Sequence, residues 1–84
     1  MKWTVAYVDN SEKELADIWL RAEDQQAIAN VANEIDQELR RNADKIGEDF
    51  YGDRIYQRGP LAVVYELRPS DRLVRVLMVL RIKG

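Results

Sequence analysis

The 84 residues include no cysteine and no histidine. The first absence removes disulfides, thiolate zinc sites and thiol nucleophiles, and the second removes the Ser-His-Asp and Cys-His machinery of nucleophilic catalysis. No apolar run approaches the ~20 residues of a membrane span, and residues 1–10 hold no signal-like apolar stretch, which predicts a cytoplasmic protein with no membrane contact. Four glycines and two prolines leave little for a linker, and there is no internal repeat. A chain this short buries only about 60–65% of its unfolded surface. It is expected to make one domain, residues 1–84, with a thin core and its function on a surface or in a shallow groove.

What is present is 46% hydrophobic and 33% charged, the composition of a chain that can build a packed core. The net charge of -2 conceals a segregation: residues 1–52 carry 6 basic and 12 acidic side chains, residues 53–84 carry 7 and 3. Acid and base therefore fall on different structural elements.

Residues 3–8, Trp-Thr-Val-Ala-Tyr-Val, are β-branched and aromatic and stop at Asp9-Asn10, which predicts a first strand. Ser11 and Glu14 have the capping-box spacing of a helix start, and Leu15, Ile18, Trp19 and Ala22 continue as one apolar stripe. A second helix is expected from Asp24 to about Arg41 on Ile28, Val31, Ala32, Ile35 and Leu39. The short join makes the two an antiparallel hairpin, with Asp17/Arg21 and Asp36/Arg40 as surface pairs. Residues 42–52 keep neither period and are expected to form a loop pinned by Phe50 and Tyr51.

Beyond that loop the period switches to two. Residues 54–58, 61–67 and 73–82 alternate as strands, separated by Gly59-Pro60 and Pro69-Ser70-Asp71, which predicts a three-stranded antiparallel meander. The order β-α-α-β-β-β is an α+β fold with the helical hairpin packed on one face of a small, mainly antiparallel sheet. Strict alternation along the last strand puts Val74, Val76, Met78 and Leu80 under the helical stripe, Trp19 included, and Leu77 and Val79 on the opposite face.

The same alternation collects Arg54, Tyr56, Arg58, Arg75, Arg81 and Lys83 on the open face. Guanidiniums around a tyrosine can hold phosphates, stack on a base and stabilise the charge of a cleaving phosphodiester; the plainer alternative is a solvated or protein-paired charged face. Glu34 and Glu38 stand at i,i+4, yet with Arg40 and Arg41 beside them they read as solvated helix surface. No metal site and no cofactor are expected.

Residues 14–20 (Glu-Leu-Ala-Asp-Ile-Trp-Leu), the helix 27–41, Arg54-Ile55-Tyr56, Leu61-Ala62-Val63-Val64-Tyr65-Glu66-Leu67 and Val74–Arg81 resemble the RelE/ParE superfamily of bacterial type II toxin-antitoxin, or plasmid stabilization, toxins. The resemblance covers nearly the whole chain and rests on element order, length and degenerate apolar strands. It implies a small toxin wrapped by a cognate antitoxin. In the RelE branch it implies an mRNA interferase, an endoribonuclease working on the ribosome through basic residues and a tyrosine; in the ParE branch it implies a non-nucleolytic inhibitor of DNA gyrase.

Arg54, Arg81 and Lys83 match the basic cleft by position, with Tyr56 as a stacking or proton-transfer group and Arg58 and Arg75 as further binding residues. Two features depart from the RelE pattern: Ala62 stands where an arginine precedes the Val-Tyr pair, and the sequence ends at Gly84, before the helix that carries the family's catalytic tyrosine. Those departures tilt the expectation toward gyrase inhibition or a detoxified interaction module, with mRNA cleavage as the alternative.

Overall fold

The structure is a computed structural model that describes residues 2–82. Its elements run β1 (Thr4–Tyr7), α1 (Asp9–Arg21), α2 (Gln25–Asn42), β2 (Glu48–Phe50), β3 (Asp53–Arg58), β4 (Leu61–Arg68), a 3-10 turn (Pro69–Asp71) and β5 (Leu73–Arg81). The strands form one sheet in the order β1-β5-β4-β3-β2. The β2-β3-β4-β5 part is antiparallel, and β1 joins β5 in parallel, since the whole helical hairpin lies between β1 and the meander in sequence. The expected α+β architecture is present, with one more strand than the alternation revealed.

Register defines two faces. Leu61, Val63 and Tyr65 of β4 face the helices and are buried with Ile28, Ile35 and Leu39 of α2 and Trp3, Val74, Val76 and Val79. Along β5 the alternation is interrupted: Val64 pairs with Met78 but Tyr65 pairs with Val76, leaving Leu77 as the extra residue of a β-bulge. The bulge shifts the phase by one residue. Val74 and Val76 face the helices as expected, but so does Val79, while Met78 and Leu80 turn to the open face. The expected core role of Met78 and Leu80 and the expected outward position of Val79 are both corrected by this one extra residue.

The helices follow their signals with one exception. Asp24 caps α2 by accepting the Ala27 N–H at 3.0 Å, and Arg40 and Arg41 close its last turn against the helix dipole. Helix α1 starts earlier than the Ser11–Glu14 spacing predicts, at Asp9, with no side-chain cap. Ser11 is buried and donates to the Val8 carbonyl at 2.8 Å. Glu14 does different work: its carboxylate accepts the Val79 N–H at 3.1 Å. Strand β1 stops at Tyr7, beside Val76, so the edge of β5 beyond the bulge has no neighbouring strand, and α1 lies along it instead.

Residues expected to be loop contain β2, whose residues Glu48, Asp49 and Phe50 pair with Ile55, Arg54 and Asp53. The knot beneath it is Tyr65. Its fully buried hydroxyl lies 3.0 Å from the Ala43 carbonyl and 2.9 Å from the Ile46 carbonyl, tying the end of α2 to the middle of the sheet. Gly47 passes so close that a Cβ there would stand 2.8 Å from the Tyr65 oxygen, and its φ of +81° suits glycine alone. No helix among the described residues is long and apolar enough to cross a membrane.

Candidate functional site

Cross-strand rows locate the basic residues. Arg54 pairs with Tyr65, Tyr56 with Val63, and Arg58 with Leu61, so all three stand on the face that carries the helices. Arg81 also pairs with Leu61 and shares that face. Arg75, opposite Glu66 and Ala6, lies on the open face. The expected single basic surface is therefore split between two faces, because Arg54, Tyr56 and Arg58 are in phase with the buried residues of β4 and the bulge moves Arg81 in phase with them. Lys83 lies outside the described residues.

Most of these cations are engaged. Arg54 donates through Nη1 to the Ile46 carbonyl at 3.0 Å, beside the Tyr65 knot. Arg58 donates through Nε to Glu34 at 2.6 Å and through Nη1 to the Tyr56 hydroxyl at 3.3 Å. Those bonds with Tyr56 and Glu34 raise its pKa further. Arg75 donates to Glu66 at 2.6 Å, and Glu66 also accepts from Arg68 at 3.3 Å. Among the described residues Arg81 makes no ion pair; it flanks a cleft with Arg21, Glu23, Asp24 and Pro60 at the turn of the helical hairpin. The Tyr56 ring packs against the core cluster, and its hydroxyl accepts from Arg58.

Two other tyrosines have strongly raised pKa values and structural partners. Burial and the nearby Asp36 carboxylate, which accepts the Tyr7 hydroxyl at 3.2 Å, push Tyr7 up to about 12. Tyr65 is pushed up to about 12 by burial, against the pull of Arg54. Neither is a proton donor suited to neutral pH. No cluster of carboxylates with metal-holding geometry occurs among the described residues, and Glu34 is committed to Arg58.

The open face is apolar at its centre. Ile55, Val64 and Met78 form one row and Gln57, Ala62 and Leu80 the next. Ala62 and Val64 are buried at the floor of this face, and Met78 stands 40% exposed above them.

An apolar concavity lies on the other side, between the two helices. A groove of about 440 Å³ is lined by Tyr7, Glu12, Leu15, Ala16, Trp19, Ile28, Ala29 and Ala32. Three alanines keep the helices' facing surfaces low, and Trp19 forms the rim at 39% exposure with Leu20 beside it at 66%. Trp19, expected in the core by its place in the stripe, is thus a groove residue. The stripe is wider than the sheet can cover, since α1 lies along an edge. The hairpin, residues 9–42, carries nine acidic and four basic side chains, so the groove is apolar within an acidic surround. Sequence reasoning missed this groove; the alanines at 16, 29 and 32 were its available signal.

No protein-family model matches the sequence. No curated protein is significantly similar to it either. Solved structures do resemble it. A chain of the RelBE2 toxin-antitoxin complex from Mycobacterium tuberculosis superposes with a TM-score of 0.80 at 18% identity, over 96% of this chain and 99% of that one. The chromosomal ParDE system from P. aeruginosa gives 0.71 at 12% identity over 98% of each chain. The isolated E. coli RelE toxin gives 0.62 at 14% identity, over 98% of this chain and 86% of that one. The two helices packed on a five-stranded, mostly antiparallel open sheet are therefore the fold of the RelE/ParE toxins.

Proposed function

We propose that this chain is the toxin of a type II toxin-antitoxin pair, that a cognate antitoxin neutralises it, and that it arrests growth by gripping a protein target such as DNA gyrase rather than by cutting RNA. The fold supports the first part, because the similar structures are a RelBE complex, a ParDE system and a RelE toxin, matched over nearly the whole of this chain. The groove between α1 and α2 supports the second. An amphipathic helix could lay its apolar face on Ala16, Ala29 and Ala32 against Trp19 and answer the surrounding acid with lysine or arginine.

The single observation that carries the third part is that the candidate cations are divided between the two faces and mostly engaged. Phosphate recognition and cleavage need several unpaired cations converging on one place. Here Ile55, Ala62, Val64, Met78 and Leu80 fill the centre of the open face, while Arg54, Arg58 and Arg75 are each held by a carbonyl or a carboxylate. A second reading, cleavage of mRNA on the ribosome, draws on the row Arg58–Leu61–Arg81, which sets two guanidiniums on one face.

The test is induction of the chain in a bacterial host with and without the protein encoded beside its gene. Growth arrest relieved by the neighbour supports the pair. Trp19→Arg and Ala29→Arg should keep both fold and arrest yet lose the relief; relief that survives both substitutions would place the antitoxin elsewhere. Failure of the parent chain to arrest growth would end the toxin reading.

A further inference from the structure

The β2-β3 hairpin turns through two residues, Tyr51 and Gly52, with φ of 52° and 91°. Positive φ at both central positions is the type I′ geometry, which favours Asn-Gly or Asp-Gly because a bulky side chain at the first position is strained there. Gly52 meets that demand. Tyr51 does not, and its side chain receives little in return: it is 93% exposed, and its one aromatic contact is an edge-on approach to Phe50 at 4.9 Å. The tip stands clear of the domain, since a Cβ built on Gly52 would meet nothing within 4 Å.

A large aromatic ring held in an unfavourable backbone conformation and left in water serves the fold poorly, and strain of this kind concentrates where a residue is used by something outside it. The surrounding charge says what that something is. Residues 46–53 hold three carboxylates, Glu48, Asp49 and Asp53, and no basic side chain, while Arg54 is turned inward to the Ile46 carbonyl. Phosphates would be repelled, which disfavours RNA or DNA stacking on the ring. A protein pocket rimmed by lysine or arginine would be attracted, and tyrosine is among the residues that most often anchor such contacts. We infer that the hairpin tip is a protein-recognition element in which Tyr51 is the anchor, inserted into a basic-rimmed apolar pocket on a partner distinct from the segment that fills the α1-α2 groove. The inference rests on the toxin reading for its cellular consequence alone, in that the partner gripped by the tip would be the toxin's target.

Three measurements on the full chain test it. Tyr51→Gly and Tyr51→Asn both suit positive φ and should melt at or above the parent's temperature; a fall of several degrees in both would show that the ring serves the fold and would overturn the proposal. Placing p-benzoyl-phenylalanine at position 51 and irradiating expressing cells should give a protein adduct whose linked residue lies in a pocket bordered by lysine or arginine. Combined Asp49→Lys and Asp53→Lys should cut that adduct by ~10-fold or more. No adduct, an adduct with nucleic acid, or one indifferent to the charge reversal each overturns the proposal. Tyr51→Gly should also abolish growth arrest while still binding the neutralising partner. If parent and variant arrest growth equally, the tip is wrong and the toxin reading stands. If the parent arrests nothing, the toxin reading is wrong, and the adduct and the melts decide the tip by themselves.

Discussion

Replacing Tyr65 by phenylalanine removes one oxygen from the point where α2, the β2 approach and the middle of the sheet are tied together. The ring stays in place, so no cavity larger than a hydroxyl opens. What changes is polar satisfaction: the hydroxyl lies 3.0 Å from the Ala43 carbonyl and 2.9 Å from the Ile46 carbonyl. Ile46 keeps the Arg54 guanidinium at 3.0 Å. Ala43 is fully buried and loses this donor. A buried acceptor deprived of its partner costs about 1–3 kcal/mol. A domain of this length has a total stability on the order of 4–13 kcal/mol, so the loss is a sizeable fraction of it. At roughly 4–8 °C per kcal/mol, Tm should fall by about 5–20 °C. Thermal melts followed by circular dichroism, with urea titrations to check that the m-value is unchanged, measure this directly. A Tm within about 2 °C of the parent would refute the reasoning, because so small a shift would mean that the hydroxyl holds nothing.

Gly47→Ala should be harsher than Tyr65→Phe, since it meets the Tyr65 oxygen at 2.8 Å and the Ile55 carbonyl at 3.1 Å with φ at +81°; a urea midpoint equal to the parent's would contradict the packing described. Arg58→Ala removes an exposed, solvent-screened ion pair to Glu34, so the melting curve should barely move; a fall as large as that of Tyr65→Phe would contradict this. Alkaline pH should destabilise the chain: Tyr7 and Tyr65 are raised from 10.0 to about 12, so between those values the folded state holds protons that the unfolded state has released, and stability falls as pH rises. The urea midpoint of Tyr65→Phe should fall less steeply than the parent's over that window; equal slopes would show that the Tyr65 hydroxyl titrates alike in both states.

The parts of the fold legible in the sequence were those set by one local period. The 3.6-residue stripe of α2 gave a helix starting near Asp24 with Ile28, Ile35 and Leu39 on its apolar side, and the alternation of residues 61–67 gave the strand β4. The errors come from places where one element's period depends on another element. The bulge at Leu77 inserts one residue, and period-two reasoning has no means of seeing it, so residues 78–81 were placed on the wrong face. Trp19 belongs to the stripe, but α1 lies along an edge where the stripe outruns what it can cover. The hairpin 48–58 was hidden because β2 has only three residues and its turn puts Tyr where Asn would have announced it. The same phase errors assembled a basic face from residues that the fold divides. Of the candidate residues, Arg54 proves to be bound into the Tyr65 knot and Arg58 into an ion pair, contacts that join residues 8 and 24 positions apart.

The most direct test of the account is to map RNA 5′ ends across the transcriptome, together with DNA breaks, in cells minutes after this chain is induced. The account predicts growth arrest with messages intact, DNA damage if the target is gyrase, and no effect of Arg58→Ala or Arg81→Ala on RNA integrity. Codon-positioned cuts in ribosome-bound mRNA that vanish with Arg81→Ala would contradict it, and would show that the Arg81 guanidinium on the helix-bearing face does the chemistry the apolar open face lacks.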